Sequence, residues 1–155
     1  GHFYGNLNDC VDLFEPYLSK YPKNLFVHGQ VSREAAAEAL KQADVLINIS
    51  NQNRHQLPSK LVDYMATGKP ILNIVSIEDD SSISFLRPYP IAEVFKECPS
   101  GEIKEDVERI CNFIASSEML PRQVVERILE PFQVPAVEAQ YQKLMYRLPP
   151  NKAPI

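Results

Sequence analysis

Apolar positions in this chain fall into short runs that alternate with helix-spaced patterns, most clearly between Asn24 and Val75. Leu25-Phe26-Val27-His28 is a compact apolar run closed by Gly29, which predicts a buried strand. Ser32 then offers an N-cap, with Glu34 in the first turn, to an alanine-rich helix over Arg33 to Gln42. Asp44 introduces the nearly continuous apolar strand Val45-Leu46-Ile47-Asn48-Ile49, and a polar loop from Ser50 to Gln56 follows it. A second helix is predicted from Pro58 to Thr67 and is stopped by Gly68, after which Pro70 opens the strand Ile71 to Val75.

Outside this stretch the pattern is sparser. Phe3 to Tyr21 has room for a strand end, a turn at Gly5-Asn6 and a helix. Glu78 to Ser84 reads as a polar loop and Ala92 to Phe95 as a further strand. Ile103, Val107, Ile110 and Ile114 recur at i, i+4, i+7 and i+11, the spacing of one helix face. Further helices are predicted over Arg122 to Glu130, ended by Pro131, and over Ala136 to Tyr146. The expected organisation is one domain over 1–147 and a proline-rich tail over 148–155.

Strands that are apolar on both faces and alternate with helices predict an α/β fold with a parallel sheet flanked by helices and covered on each side. Right-handed crossovers bring the strand-to-helix loops to one edge of such a sheet. Open sheets of this kind bind ligands there, at the carboxyl ends of their strands. The loop from Ser50 to Leu57 belongs to that edge.

Composition narrows the classes. The 155 residues are 45% hydrophobic and 23% charged, as in a globular protein with one real core. A net charge of -4 and the lack of any Lys/Arg cluster with interleaved aromatics argue against a nucleic-acid partner. No apolar run approaches the roughly 20 residues that a transmembrane helix needs. Cys10, Cys98 and Cys111 are far apart, which predicts buried thiols in a reducing compartment rather than a disulfide framework. His2, His28 and His55 are equally scattered, and no metal site is expected.

Candidate chemistry sits on the helix after the polar loop. On a wheel of about 100° per residue, Leu57, Leu61, Tyr64 and Met65 share one side, while Ser59, Lys60, Asp63 and Thr67 gather on the other. A helix start at the ligand-binding edge offers free N–H groups and a positive dipole end to phosphate oxygens. Ser59 and Lys60 would add a hydroxyl donor and an ammonium, and Asp63 an acceptor for ribose hydroxyls. The spacing alone leaves a plainer alternative open, in which Ser59 only caps the helix and Lys60 and Asp63 form a solvated pair.

The ordered series Gly29-Gln30-Val31-Ser32, Ala43 to Ile49 and Gln56 to Leu72, above all "PSKLVDYMATGKPIL", resembles the C-terminal domain of the retaining, two-Rossmann-domain (GT-B) glycosyltransferases. The match is best to the family-four branch with its bacterial polysaccharide and O-antigen enzymes. It covers Leu25 to Val75 well and the later helices loosely. The resemblance implies a Rossmann-like parallel sheet, with Asp63 at the carboxylate that binds the nucleotide ribose and Ser59 and Lys60 at the diphosphate. The family's preceding glutamate, which touches the donor sugar, falls at His55, and its loop glycines are replaced by Gln56, Leu57 and Pro58. These four residues make the expected donor loop, in a form that departs from the family pattern.

The resemblance further implies a cytoplasmic enzyme, active in the cytoplasm or at the inner face of the membrane. It would transfer a hexose-type sugar from a nucleotide-diphosphate donor to a saccharide or lipid-linked acceptor, with retention at the anomeric carbon. The acceptor would be bound by an N-terminal domain that this stretch does not contain, and Gly1 to Tyr21 is too short for the whole first strand–helix unit. The expectation is therefore a fragment that is inactive alone. No cofactor beyond the donor and no metal are expected, and no catalytic residue is assigned. Three rivals stay open: a GT-B-like sugar-nucleotide epimerase, a flavodoxin-like signalling domain, and a non-catalytic binding module. The signalling domain is disfavoured because only Asp44 lies near a core strand, at its beginning.

Overall fold

A computed structural model describes residues 1–50, 54, 59–96, 103–116 and 118–147. The fold is α/β, with parallel sheets flanked by helices. Two compact units divide the chain, Gly1–Ala43 and Asp44–Ile155.

The first unit holds β1 (His2–Phe3), a 3-10 turn at Asn8–Cys10, α1 (Val11–Lys20), β2 (Phe26–Val27) and α2 (Arg33–Gln42). β1 and β2 pair in parallel as a two-stranded sheet of their own. The predicted strand at Leu25–His28 therefore exists, but it is not buried: Phe26 and His28 are exposed. Its exposed side carries a ring cluster instead. His2 Nδ1 and His28 Nε2 share a hydrogen bond of 2.9 Å, Tyr4 stacks on His28 at 4.4 Å, and Phe26 stacks on His2 at 4.9 Å. α2 starts as expected, with Ser32 Oγ accepting the Ala35 N–H at 3.2 Å.

The second unit is built on β3 (Leu46–Ile49), β4 (Ile71–Val75) and β5 (Ala92–Lys96), all parallel and in sequential order. Between them run α3 (Lys60–Ala66) and α4 (Ser81–Leu86), and beyond them lie α5 (Ile103–Ser116), α6 (Arg122–Leu129) and α7 (Val134–Arg147). Ile71 and Val75 in β4 and Leu61 and Met65 in α3 are 0% exposed, so these two elements supply the most deeply buried aliphatic side chains of the unit. α6 packs on α3. α5 reaches β5 through Arg109, which pairs with Glu93 at 2.6 Å and lies 4.4 Å from the Phe95 ring centre.

Four expectations are corrected here. Only β4 is covered on both faces; β3 alternates, and Ile47 and Ile49 on its outer face are exposed. The predicted loop at Glu78–Ser84 becomes a helix from Ser81, because Asp80 accepts the Ser82 N–H at 2.8 Å and so caps it. Cys10 and Cys111 are exposed free thiols rather than buried ones, since each sits on the outward side of its turn or helix. The last helix begins at Val134, two residues before the expected Ala136, and a 3-10 turn over Glu130–Phe132 continues past the end predicted at Pro131. The tail over 148–155 and Cys98 lie outside the described residues. Among the described residues, no helix is long and apolar enough to cross a membrane.

Candidate functional site

Parallel strands share one carboxyl edge, and three features meet at it: the residue after β3 (Ser50), the start of α3, and the connection from β4 to α4. α3 is only seven residues long, yet its two sides are sharply different. Leu61 and Met65 are completely buried, whereas Ser59, Lys60 and Asp63 are exposed. These five residues fall as on the wheel drawn from the sequence, whereas Tyr64 and Thr67 are both half-buried and Leu57 lies outside the described residues. His55, Gln56, Leu57 and Pro58, the expected donor loop, lie outside the described residues.

Neither part of the plainer alternative is seen. Ser59 itself has helical backbone angles, φ -57° and ψ -26°, and its side chain makes no capping hydrogen bond. Among the described residues, Lys60 and Asp63 form no ion pair with each other or with a third residue. A hydroxyl, an ammonium and a carboxylate therefore stand in solvent within one turn of helix. An ammonium and a hydroxyl can hold phosphate oxygens, and a carboxylate can accept from vicinal hydroxyls. Tyr64, half-buried beside them, has its hydroxyl pKa raised, first by burial and then by the Asp63 charge.

The far end of α3 is tightly fixed. Gly68, expected to stop the helix, takes φ +72° and donates its N–H to Met65 O at 3.1 Å, a left-handed helix ending. Its own carbonyl accepts the Leu120 N–H at 2.8 Å, so the chain before α6 is bonded directly to the end of α3. Lys69, next in sequence, is buried, and its carbonyl accepts the Tyr89 hydroxyl at 2.8 Å. Burial raises the Tyr89 pKa well above the usual phenol range.

Beneath the carboxyl edge runs a buried polar chain that sequence reasoning missed. Asn48 Nδ2 donates to Asn73 Oδ1 at 2.6 Å, and Asn73 Nδ2 donates to Ser82 Oγ at 2.8 Å. Ser82 Oγ donates to Asp80 Oδ1 at 2.5 Å, and Ser50 Oγ donates to Asp80 Oδ2. Asn73 and Ser82 are 0% exposed and Asp80 is 4% exposed. Burial pushes the Asp80 pKa up, but the hydrogen bonds from Ser50, Ser82 Oγ and Ser82 N–H outweigh it, and the net shift is downward. One signal was present in the sequence: an asparagine in each of two otherwise apolar strands, which the register brings opposite one another. A lone asparagine inside a strand is disfavoured unless its amide is satisfied.

Above this floor, two ion pairs occupy the β4–α4 connection. Arg54, within the loop after β3, places Nη1 3.1 Å from Asp79 Oδ2, and Lys96 Nζ lies 2.6 Å from Glu78 Oε1. Among the described residues, no group of three or more His, Cys, Asp or Glu side chains is placed to hold a metal ion. Compared with protein-family models, with curated proteins and with solved structures, the chain matches none of them.

Proposed function

We propose that this chain is the donor-binding part of a retaining glycosyltransferase of GT-B type, which receives a nucleotide-diphosphate sugar at the carboxyl edge of β3 and β4. In this reading Ser59 and Lys60 hold the diphosphate, and Asp63 accepts hydrogen bonds from the ribose. Transfer would go to a saccharide or lipid-linked acceptor bound by another domain. The protein's contribution is to stabilise the departing diphosphate as negative charge builds on it, through the Lys60 ammonium and the Ser59 hydroxyl.

One observation carries the reading. Ser59, Lys60 and Asp63 are exposed at the start of a helix that follows a parallel strand, and among the described residues Lys60 and Asp63 are in no ion pair. An exposed Lys–Asp couple at i, i+3 that stays apart is available to a ligand. The sequence resemblance of the same segment supplies the ligand class.

The test is a titration of UDP, GDP, ADP and CMP against the chain, read by thermal shift or calorimetry. A ligand at about 100 times its Kd stabilises a protein by about 2.7 kcal/mol, which is readily detected. Binding by at least one nucleoside diphosphate, weakened by Asp63→Ala, is the expected result. Absence of stabilisation by all four removes the donor-site reading, and an unchanged affinity in Asp63→Ala removes Asp63 from the ribose.

A further inference from the structure

We propose that α7 is a self-association surface, pairing antiparallel with α7 of a second copy of this chain across a two-fold axis. The inference is independent of the donor-site reading and uses none of its residues.

A helix of 14 residues is marginal in water unless one of its faces is covered. Among the described side chains of α7, all but Ala136 are exposed. Four of the exposed ones are apolar and form a stripe: Val134, Val137, Tyr141 and Leu144, at 78%, 36%, 65% and 60% exposure. Their spacing of three, four and three residues is that of a helix–helix seam. Phe132, in the 3-10 turn before the helix, extends the stripe, and its ring lies 5.0 Å from that of Phe85 in α4. A groove of about 390 Å³ runs along this end of the stripe, lined by Phe132, Val134, Val137, Glu138 and Tyr141.

The occupant that this surface matches is another copy of itself. The groove lies at the start of the stripe and Leu144 projects at its far end, so recess and projection belong to one patch. A two-fold interface requires that self-complementarity, and an antiparallel pair uses it twice. With Leu144 set opposite the partner's Val134, Tyr141 falls opposite the partner's Val137, and the seam closes with no stripe residue left over. At the stated exposures the four residues and Phe132 leave on the order of 600 Å² of each copy to water, so a pair buries up to about 1,200 Å², the lower edge of stable specific interfaces. Opposed helix dipoles favour the antiparallel direction. The same register brings Glu138 of both copies together beside the axis, a like-charge contact that only self-pairing creates and that keeps the dimer reversible.

Sedimentation equilibrium of the full chain reads the association. The wild type is a reversible dimer with a Kd on the order of 10 µM. Tyr141→Glu and Leu144→Lys, both at exposed positions, keep the circular dichroism spectrum of the folded chain and weaken the dimer at least about tenfold, because each sets a charge in an apolar seam. Glu138→Gln tightens the dimer about threefold, a gain that loss of folding does not imitate, and high salt narrows its difference from wild type. A wild type still monomeric at about 200 µM overturns the proposal and leaves the face to a partner of another kind. So does a dimer indifferent to Leu144→Lys, which must pair through another surface. A dimer that Glu138→Gln leaves unchanged or weakens overturns the antiparallel register, and the proposal with it.

Discussion

Asn48 and Asn73 sit opposite each other in the register of β3 and β4 and are joined side chain to side chain by a 2.6 Å hydrogen bond inside the second unit. Asn73 is the link of the chain, accepting from Asn48 and donating to Ser82 while wholly shielded from water. Asn73→Leu leaves the Asn48 amide and the Ser82 hydroxyl without it, and should destabilise the unit by about 2–4 kcal/mol. The double variant Asn48→Leu/Asn73→Leu should cost less than the sum of the two single changes, since it removes both members of the pair. Chemical denaturation of the four proteins measures the cycle.

Asp80 gives the unit an acid-sensitive step. Its pKa in the fold lies below the ordinary value of 3.8, against the pull of burial and because of three hydrogen bonds to the charged form. A folded pKa below the unfolded one means that the stabilisation is complete above pH 3.8 and fades as pH falls from there through the folded value. Asp80→Asn should flatten that part of the stability profile and lower stability at neutral pH, as read by urea unfolding across pH 2.5–7. A profile with the same acid slope in the variant would show that other carboxylates set it.

A side chain at Gly68 is strained for two separate reasons. Its φ of +72° is strained for any L-residue, and an added Cβ would lie 3.1 Å from Leu120 O and 3.2 Å from Val125 Cγ2. Gly68→Ala should cost about 1–3 kcal/mol and lower Tm accordingly. Asn, which accepts left-handed angles better than Ala, still meets the second obstacle and should not recover the loss.

The two sides of α3 should separate in mutation. Leu61→Ala, at a site with no exposure, should cost about 2–5 kcal/mol of stability. Asp63→Ala, on the exposed side, should change stability by no more than about 0.5 kcal/mol while weakening nucleoside diphosphate binding. Thermal melts with and without ligand distinguish the two effects in one experiment.

Sequence periodicity located β3, α3, β4, β5 and the amphipathic helices because those segments bury a face, and burial writes itself into the apolar spacing. It failed where polar atoms build structure. Asp80, Ser81 and Ser82 have the composition of a loop, and only the capping hydrogen bond shows that a helix starts there. The exposed outer face of β3 was equally hidden, since Ile47 and Ile49 have the same apolar character whether or not anything lies over them. The nucleotide role of Ser59, Lys60 and Asp63 rests on the family resemblance, and only their exposed position on α3 was legible from helical phase. The pairing of Arg54 with Asp79 was not legible, because nothing in spacing relates it to Asp79, 25 positions later, until two neighbouring strands bring their loops together.

The bond from the Leu120 N–H to the Gly68 carbonyl has a temporal consequence. A ribosome delivers α3 long before it delivers α6, so a growing chain carries α3 without the helix that later packs on it. The end of α3 can be fastened only after Leu120 has emerged. Until then the nascent second unit presents an uncovered apolar side, the kind of surface that chaperones shield during synthesis.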